Sequence, residues 1–526
     1  MNEQEPYVEG AMNAADEILG PALVEGREHQ LAVIEGDASL TYGEFIALVN
    51  RYGHGLRERG VGPEARVLFL TDDSADLAAA YLATIKIGGV AVAYNVRASA
   101  EDLRFVINET RCRLICVGVD YLSLYRQVEP SLDHRPECWV EGAAGEAPRC
   151  MQDLAVGQPD RLEATPMSPD DMAFWVYSSG TTGKPKAAVH LHHNVMIADL
   201  HLRENLGVKP GDRLLCTSKL FFAYALGHGL LAGLRCGATL ILSRGWPNAE
   251  RIGQVVARHR PDFFFSVPAF YRTLLRSGVC DSPAFRRIRH FISAGEKLPL
   301  TLYERWHEMT GRPILEGIGT SETLFLFICN TPARNRPGSN GRLVPWAELR
   351  LLDEHGEPVS EPDTPGVAWI RMASVCDRYW NRQDQSRATF QGTWYRTGDV
   401  FTFDNDRWFY HQGRADQMLK ISGQWVSPVE IEECALQVAH VREAAAVGIP
   451  DGDGLVRTAL FVVAEGASQE AGLAERIRSA LLERLSIYKC PREVHFVDEI
   501  PRTATGKIQR FKLRPPPAIT AVAPSG

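Results

Sequence analysis

The sequence lacks the features of a membrane, secreted or nucleic-acid-binding protein. No apolar run among its 526 residues reaches the roughly 18–20 residues that a membrane span needs. The first ten residues, MNEQEPYVEG, have neither the basic nor the apolar region of a signal peptide. The net charge of −8 argues against a nucleic-acid partner held by phosphate contacts. We therefore predict a cytoplasmic monomer or homodimer with no membrane and no nucleic-acid partner.

Cysteine and histidine spacings of metal sites are also missing. The eleven cysteines are scattered and no CxxC occurs, so we predict buried free thiols and neither a disulfide framework nor a cysteine metal site. The run HLHH (190–193) with His201 matches no zinc spacing. We predict that these histidines lie at the surface or cap helices.

The order of apolar and helical patterns indicates a parallel sheet covered by helices. A chain of 526 residues is too long for one ordinary core, so at least two domains are expected. Short β-branched runs alternate with helical patterns, and this order is typical of βαβ units. Examples are the strands predicted at 65–71, 91–95 and 113–119, with helices at 74–88 and near 100–109, and the strands at 212–218, 238–242 and 262–267.

The sequence pattern changes in the last third of the chain. Residues 342–412 contain short strands and turns, which indicates an antiparallel, β-rich subdomain. The last hundred residues have their own small set of strands and one amphipathic helix. The sequence therefore predicts an α/β fold with a large N-terminal domain of helix-flanked sheets (1–414) and a small, mobile C-terminal α+β domain (415–526).

One stretch, YSSGTTGKPKAAVH (177–190), has the composition of a phosphate-binding loop but not the spacing of a P-loop. Its glycines would let backbone N–H groups approach an anion, and its hydroxyls and lysines would add hydrogen bonds and charge. The alternative is a flexible Ser/Gly turn. The composition by itself leaves both open.

Three later stretches raise the same choice between chemistry and local structure. EGIGTSET (316–323) suits a phosphate with Mg²⁺, or a helix cap. YRTGDV (395–400) presents Asp399 to ribose hydroxyls, or forms a hairpin turn. PRTATGKIQR (501–510) carries Lys507 on a Thr/Gly-rich turn, or is a solvated basic segment.

In this order and at these separations, the four stretches resemble the core motifs of the adenylate-forming superfamily. That superfamily includes acyl- and aryl-CoA ligases, carrier-protein adenylation domains and luciferases. The similarity runs from LTYGEF (40–45) to GKIQRFKLR (506–514). The segments MNAADEIL, KLFFAYALGHG, EGIGTSE and SGQWVSPVEIE are most similar to the benzoate-CoA ligase branch.

The resemblance implies a site for ATP and Mg²⁺. The first loop would close over the β- and γ-phosphates, Ser321 would contact the α-phosphate, Glu322 would help to hold Mg²⁺, and Asp399 and Arg414 would hold the ribose. The residues implied for the phosphate loop are Ser178, Ser179, Gly180, Thr181, Thr182, Gly183 and Lys186. Those implied around the adenine and its neighbouring phosphate are Gly295, Glu296, Glu316, Gly317, Ile318, Gly319 and Thr320.

The resemblance also implies two half-reactions. A carboxylate attacks the α-phosphorus of MgATP, and a thiolate of CoA then displaces AMP from the acyl-adenylate. Lys507 would stabilise the first transition state, with Ser321 and Glu322 completing the catalytic set. The small domain would then turn about Asp416, and the face that carries Lys420, Gly423 and Trp425 would replace Lys507.

The acid pocket implied by the resemblance is apolar and aromatic. It comprises Ala223, Tyr224, Gly319, Phe325 and Leu326. Benzoate-CoA ligases generally carry histidine where Phe325 stands, which is either a neutral packing change or a shift in ring preference. Benzoate, anthranilate and hydroxybenzoate all remain candidates, and Tyr224 is placed to hydrogen-bond a ring substituent.

We therefore predict an AMP-forming aryl-CoA ligase that uses ATP, Mg²⁺ and CoA. The alternative is an aryl-acid adenylating enzyme that loads the pantetheine of a separate carrier protein. A non-catalytic nucleotide-binding homologue is disfavoured because Lys186, Glu322, Asp399, Arg414 and Lys507 are all present.

Overall fold

The structure is a computed structural model that describes residues 10–142, 149–179, 184–421, 424–450, 456–465, 472–487, 489–502 and 508–514. Its contacts divide the chain into two compact units. One comprises Met1–Arg350, Trp369–Thr397 and Phe403–Tyr410, and the other comprises Leu351–Ala368, Gly398–Thr402 and His411–Gly526. The large first unit and the small second one confirm the predicted α/β class, whereas the domain boundary at 414 stays a prediction.

The helices begin where the sequence supplies caps. In the third helix, Ser74 accepts a hydrogen bond from the Leu77 N–H at 2.9 Å, which satisfies one of the unpaired donors of the first turn. Thr41 and Glu44 form a reciprocal capping box at the start of the second helix. The α-helices are α1 (Ala14–Val24), α2 (Tyr42–Glu58), α3 (Ala75–Lys86), α4 (Ala100–Thr110), α5 (Leu122–Val128), α6 (Ala232–Arg235), α7 (Ala249–His259), α8 (Pro268–Ser277), α9 (Pro283–Arg286), α10 (Leu300–Thr310), α11 (Gln383–Thr389), α12 (Pro428–Leu436) and α13 (Leu473–Arg484).

Short irregular helices complete the helical elements. Two segments have π-helical geometry, His201–Asn205 and Ala225–Leu231. The 3₁₀ turns are Val119–Tyr121, Glu129–Ser131, Met151–Leu154, His192–Val195, Val279–Asp281 and Arg510–Lys512.

The predicted strands at 65–71, 91–95, 113–119, 212–218, 238–242 and 262–267 are all present, with ends shifted by a few residues. The strands are β1 (Leu31–Glu35), β2 (Ala38–Thr41), β3 (Arg66–Leu70), β4 (Val90–Ala93), β5 (Leu114–Gly118), β6 (Glu137–Glu141), β7 (Met172–Ser179), β8 (Pro185–Leu191), β9 (Arg213–Cys216), β10 (Thr239–Leu242), β11 (Phe263–Ser266), β12 (His290–Ser293), β13 (Ile314–Gly319), β14 (Leu326–Cys329), β15 (Arg342–Leu343), β16 (Glu348–Leu352), β17 (Gly366–Arg371), β18 (Arg378–Tyr379), β19 (Phe390–Gln391), β20 (Trp394–Phe403), β21 (Phe409–Arg414), β22 (Leu419–Ile421), β23 (Gln424–Val426), β24 (Val441–Pro450), β25 (Val456–Ala464) and β26 (Glu493–Phe496).

Two large sheets organise the first unit. A nine-stranded sheet runs β15-β14-β13-β12-β11-β9-β10-β1-β2, and its strands from β13 to β1 are parallel. A seven-stranded sheet runs β18-β8-β7-β4-β3-β5-β6, with parallel pairing from β7 to β6. Strands such as β4 and β5 are wholly apolar and buried because helices cover parallel sheets on both faces. Strands β16, β17, β19, β20 and β21 form a five-stranded sheet.

The second unit has its own core. Strands β24 and β25 pair antiparallel, β26 adds in parallel to β25, and β22 and β23 form a separate hairpin. Apolar residues of α12 and α13, including Ile431 and Ile477, pack on buried residues of β24 and β25. This small α+β set agrees with the strands and helix predicted for the last hundred residues.

All eleven cysteines are free, and seven of them are buried, which agrees with the predicted buried thiols. Among the described residues, no helix is long and apolar enough to cross a membrane.

Candidate active site

The phosphate-loop sequence links the two strands of a hairpin. Strands β7 and β8 pair antiparallel, with Ser178 opposite Lys186 and Ser179 opposite Pro185. The hydroxyl of Ser178 is buried and has no hydrogen-bond partner among the described residues. The residues between the strands, Gly180, Thr181, Thr182 and Gly183, lie outside the described part of the chain, as does the side chain of Ser179.

Lys186 belongs to a cluster around the buried carboxylate of Glu322. Its Nζ lies 3.2 Å from Glu322 Oε1 and donates to the Tyr379 hydroxyl oxygen at 2.8 Å. The Tyr379 hydroxyl donates to Oε1 at 2.5 Å, and the Tyr395 hydroxyl donates to Oε2 at 3.0 Å. The fold brings these groups together because β18 pairs with β8, which places Tyr379 beside the strand that carries Lys186.

These contacts keep Glu322 ionised. Burial alone would raise the pKa of its carboxyl, but Lys186 and the tyrosine hydroxyls outweigh burial and lower the pKa to about 2. Burial and the neighbouring carboxylate raise the pKa of Tyr379 far above its usual value, so Tyr379 stays a neutral donor. Glu322 is therefore a fixed anion with a cation and two hydroxyls around it.

The segment before Glu322 packs closely against Phe325 and Leu326, with room only for glycine at two positions. A Cβ at Gly319 would lie 2.6 Å from the Phe325 carbonyl oxygen, and a Cβ at Gly317 would lie 2.7 Å from Leu326. Ile318, Gly319, Thr320 and Ser321 are half-buried, so this edge is accessible.

Glu316 has a structural role in the same strand. Its Oε1 accepts hydrogen bonds from the Leu298 N–H at 3.0 Å and from the Asn340 side-chain amide at 2.9 Å. The other predicted adenine neighbours follow β12, where Gly295 has a left-handed backbone (φ +89°) and precedes Glu296. The sequence did not indicate that the Glu316 side chain is occupied in this way.

The predicted acid-pocket residues meet beside the π-helical segment. Phe325 and Leu326 are buried, whereas Ala223, Tyr224 and Gly319 are half-buried. Gly319 is the register partner of Leu326, so both follow from the β13–β14 pairing. Tyr224 lies just before Ala225–Leu231, and burial raises the pKa of its hydroxyl well above the usual value.

The predicted ribose residues belong to the second unit. Asp399 lies on β20, and its Oδ1 is 3.2 Å from His411 Nε2 and 3.5 Å from Arg414 Nη1. Arg414 Nε lies 3.5 Å from Asp416 Oδ1, which links the predicted hinge residue to the ribose pair. His411 is a neighbour of Asp399 that the sequence did not reveal.

The remaining predictions in the second unit are only partly described. Lys420 and Trp425 are register partners in the β22–β23 hairpin, and their side chains lie outside the described structure. Gly423 and Lys507 are outside the described residues altogether.

Two family models match this chain. A model described as AMP-binding enzyme matches residues 22–380, and one described as AMP-binding enzyme C-terminal domain matches residues 430–507. The chain belongs to the AMP-binding enzyme family. The adenylate-forming resemblance inferred from the motifs is thereby confirmed.

Several similar proteins are named for aromatic acids. The chain is 52% identical to a 3-hydroxybenzoate–CoA ligase of Aromatoleum sp. (strain CIB), over 96% of this chain and 97% of that protein. It is 51% identical to a 3-hydroxybenzoate–CoA/4-hydroxybenzoate–CoA ligase of Thauera aromatica, with the same coverage. A crystal structure of the anthranilate CoA ligase AuaEII in complex with anthranoyl-AMP superposes with a TM-score of 0.88, at 33% identity over 96% of this chain and 97% of that one. These likenesses support the benzoate-CoA ligase-like branch.

The prediction that the histidines of HLHH and His201 lie at the surface or cap helices was wrong for His190 and His201, which are at most 1% exposed. His190 is buried because β8 lies inside the seven-stranded sheet, between β7 and β18. His192, which follows β8, is buried too, but it accepts from the first N–H of α1, which is a helix-capping contact as predicted. His190 stacks on Phe174 and donates from Nε2 to the Ser321 carbonyl at 2.9 Å, and His192 Nδ1 accepts from the Ala14 N–H at 2.9 Å. Burial lowers the pKa of both rings to about 4, so both are neutral near pH 7, and His190 supports the segment that carries Ser321.

The donor set around Glu322 fits a magnesium ion delivered with a nucleotide. Among the described residues, no group of three or more His, Cys, Asp or Glu side chains could hold a metal ion. Mg²⁺ is commonly bound through one or two carboxylates together with substrate phosphates and water. A single ionised carboxylate beside Lys186, at the end of the predicted phosphate loop, matches that pattern.

Proposed function

We propose that this chain is an AMP-forming acid–thiol ligase that converts a hydroxybenzoate, with 3-hydroxybenzoate as the first candidate, to its CoA thioester. The observation that carries the proposal is that Glu322 and Phe325 are only three residues apart in the sequence. Glu322 is the buried anion paired with Lys186, and Phe325 belongs to an aromatic cluster. A phosphate-facing charge and an aromatic wall three residues apart suit the activation of an aromatic carboxylate by ATP. The two relatives that share about half of the sequence both carry 3-hydroxybenzoate in their names.

The chemistry consists of two transfers. The aryl carboxylate attacks the α-phosphorus of ATP, forming the acyl-adenylate as pyrophosphate leaves. The CoA thiolate then attacks the acyl carbon, forming the thioester as AMP leaves. In the first transfer, negative charge grows on the phosphoryl oxygens, and cationic groups placed there lower the barrier.

We assign the first transfer to residues of both units. Lys186 and the Ser178–Gly183 loop would hold the β- and γ-phosphates, Ser321 would contact the α-phosphate, and Lys507 would stabilise the developing charge. Mg²⁺ held by Glu322 would neutralise the phosphates. Lys186 now pairs with Glu322, so it must exchange that contact for a phosphate oxygen when the nucleotide and its metal arrive.

The second transfer would use the small domain in another orientation. Asp399 and Arg414 would hold the ribose, and Asp416 would serve as the hinge. Lys420, Gly423 and Trp425 would then line the path of the pantetheine thiol. A hinge confined to a few boundary residues is physically reasonable for such a switch.

We also propose a cytoplasmic location, since all eleven cysteines are free. Free thiols are typical of reducing compartments.

The test is pyrophosphate release from ATP with benzoate, anthranilate, the three hydroxybenzoates, cinnamate and a medium-chain acid, each with and without CoA. We expect sustained release with a hydroxybenzoate only when CoA is present, together with formation of the aryl-CoA. Single-turnover release unaffected by CoA would move the acceptor to a carrier protein. The absence of release with every aromatic acid would overturn the proposal.

Separate half-reaction assays test the role of Lys507. We expect Lys507→Ala to reduce adenylation by about 10²–10³-fold, because one stabilising cation is removed from the transition state. Thioester formation from a supplied acyl-adenylate should be largely retained. Equal damage to both half-reactions would contradict the assigned role.

A further inference from the structure

A buried histidine lies at the inner end of the predicted acid pocket. His228 is in the π-helical segment Ala225–Leu231 and is 1% exposed. Its ring centroid lies 5.4 Å from that of Tyr224 and 5.6 Å from that of Phe325, both edge-on. Phe265 adds a third aromatic ring at 6.2 Å.

The π-helical segment packs tightly against the loop that carries Phe325. A Cβ at Gly227 would lie 2.8 Å from the Leu324 carbonyl oxygen and 3.2 Å from Phe325 Cε1. His228 follows Gly227 directly, so its ring lies where the helix and the loop meet. π-helical turns are rare and frequently occur at functional sites.

The polar atoms of this region lack partners. Among the described residues, neither ring nitrogen of His228 makes a well-aligned hydrogen bond, and the Tyr224 hydroxyl is buried without a partner. An unpaired buried polar group costs roughly 1–3 kcal/mol, so such groups usually await a ligand or a water molecule. Tyr224 and the preceding Ala223 are half-buried, so the pocket is accessible from their side.

The charge state of His228 determines what it can bind. Burial lowers the pKa of its ring to about 4, partly offset by the Tyr224 carbonyl one turn earlier. The ring is therefore neutral near pH 7, with one nitrogen that donates and one that accepts. Since the Tyr224 carbonyl can only accept, it favours the tautomer whose N–H faces it and leaves the other nitrogen as an acceptor.

We infer that His228 is the specificity residue that accepts a hydrogen bond from the ring hydroxyl of a hydroxybenzoate. A phenolic hydroxyl is a donor of the right chemistry for a neutral imidazole acceptor, and the three aromatic neighbours supply the flat apolar surface that a benzene ring needs. Unsubstituted benzoate fits the same wall but leaves the nitrogen unpaired. This inference rests on the proposed function and goes further by naming the hydroxyl recognition and its residue.

A neighbouring histidine provides a matched control. The ring of His201 lies 5.4 Å from that of His228 and is 1% exposed, but its Nδ1 is 3.3 Å from the Asn205 side-chain nitrogen and 3.7 Å from Cys329 Sγ. It is not among the rings in contact with Tyr224 or Phe325. His201 is thus a buried histidine beside His228 whose ring contacts neither the Tyr224 ring nor the Phe325 ring.

The experiment compares kcat/KM for 3-hydroxybenzoate, 4-hydroxybenzoate, benzoate and 3-fluorobenzoate in the wild type, His228→Phe, His228→Asn and His201→Phe. Fluorine cannot donate, so 3-fluorobenzoate controls for size. We expect the wild type to prefer one hydroxybenzoate over benzoate by about tenfold or more, and His228→Phe to reduce that ratio by about 10- to 100-fold. His228→Asn retains an acceptor and should retain part of the ratio, whereas His201→Phe should keep it.

Several outcomes would overturn the inference. A hydroxyl preference unchanged in His228→Phe would mean that water or another group pairs with the ring. Loss of the preference in His201→Phe alone would assign the contact to that residue. Equal use of benzoate and hydroxybenzoates by the wild type would remove hydroxyl recognition while leaving the ligase function standing, and failure of all aromatic acids would instead reject the proposed function.

Discussion

Two polar clusters in the first unit are built in opposite ways. Around Glu322, both carboxylate oxygens accept hydrogen bonds, and Lys186 supplies the counter-charge. Around His228, the ring nitrogen that faces away from the Tyr224 carbonyl is buried without a partner among the described residues, and so is the Tyr224 hydroxyl. In the first cluster, the charges and hydrogen bonds are paired before any ligand binds. In the second cluster, hydrogen-bonding groups are still unpaired.

The difference indicates how each end of the site responds to its ligand. A complete cluster must give up an internal contact to accept a charged ligand, so binding there exchanges one ion pair for another. An incomplete cluster gains its first partner on binding, so it discriminates between ligands that supply the partner and ligands that do not. Under the proposed function, the charged cluster would therefore govern reaction and the aromatic cluster would govern specificity.

Removal of the Lys186 charge should have the largest effect on the stability and activity of the charged cluster. In Lys186→Met, Glu322 would remain buried without its cation, so its pKa should rise and the protein should lose about 1–3 kcal/mol of unfolding free energy. Adenylation, measured by pyrophosphate exchange, should fall by about 10²–10³-fold because the phosphate contact proposed for Lys186 is also lost.

Lys184→Met is the matched control for that variant. Lys184 is two residues earlier and exposed, and its Nζ lies 5.5 Å from the Phe105 ring centroid, so its loss should change either quantity little. If the two lysine variants behaved alike, the charged cluster would not have the role described for it.

A pair of Tyr→Phe variants compares the stability that a hydroxyl contributes in each cluster. Tyr379→Phe removes a hydroxyl that donates to Glu322 and accepts from Lys186, so we expect a loss of about 1–3 kcal/mol in unfolding free energy and slower adenylation. Tyr224→Phe removes a buried hydroxyl without a partner, so the unliganded protein should keep its stability or gain up to about 1 kcal/mol. Urea unfolding without ligands measures both. A loss in Tyr224→Phe as large as that in Tyr379→Phe would show that the aromatic cluster is already satisfied.

The sequence revealed the parallel sheets because their strands are fully buried apolar runs between helical patterns. It also indicated the antiparallel pairing after residue 342, because short strands and turns follow one another there, whereas the domain boundary at 414 stays a prediction. The order of the motifs was enough to identify the family, because each motif is a short contiguous stretch that can be recognised without the fold. These features depend on short stretches of chain.

The contacts that complete the site depend on long-range pairing and were not predictable in this way. Tyr379 and Tyr395 reach Glu322 from separate strands, 57 and 73 residues further along the chain. His190 looked like a surface residue because nothing in HLHH reveals that its strand lies inside a sheet. The π-helical geometry that positions His228 has no recognised sequence pattern, although the LGHG run after a row of aromatics was a signal that could have been followed.

The smallest expected effect is the pH dependence that Glu322 contributes to stability. The pKa of its carboxyl is about 2 in the folded chain, below the usual value of 4.5. Its stabilising contribution is therefore fully present above pH 4.5 and is lost as the pH falls towards 2. Between pH 7 and pH 4, protonation linked to this pKa difference lowers the unfolding free energy by about 1 kcal/mol.

We expect the wild type to lose about that much more unfolding free energy than Glu322→Gln over this pH interval. Urea unfolding monitored by tryptophan fluorescence measures the difference. Glu58→Gln, which changes an exposed glutamate of the same unit, should lose as much as the wild type. If Glu322→Gln did so as well, the carboxylate would not be held ionised by Lys186 and the tyrosine hydroxyls, and the charged cluster would resemble the aromatic one in awaiting its partner.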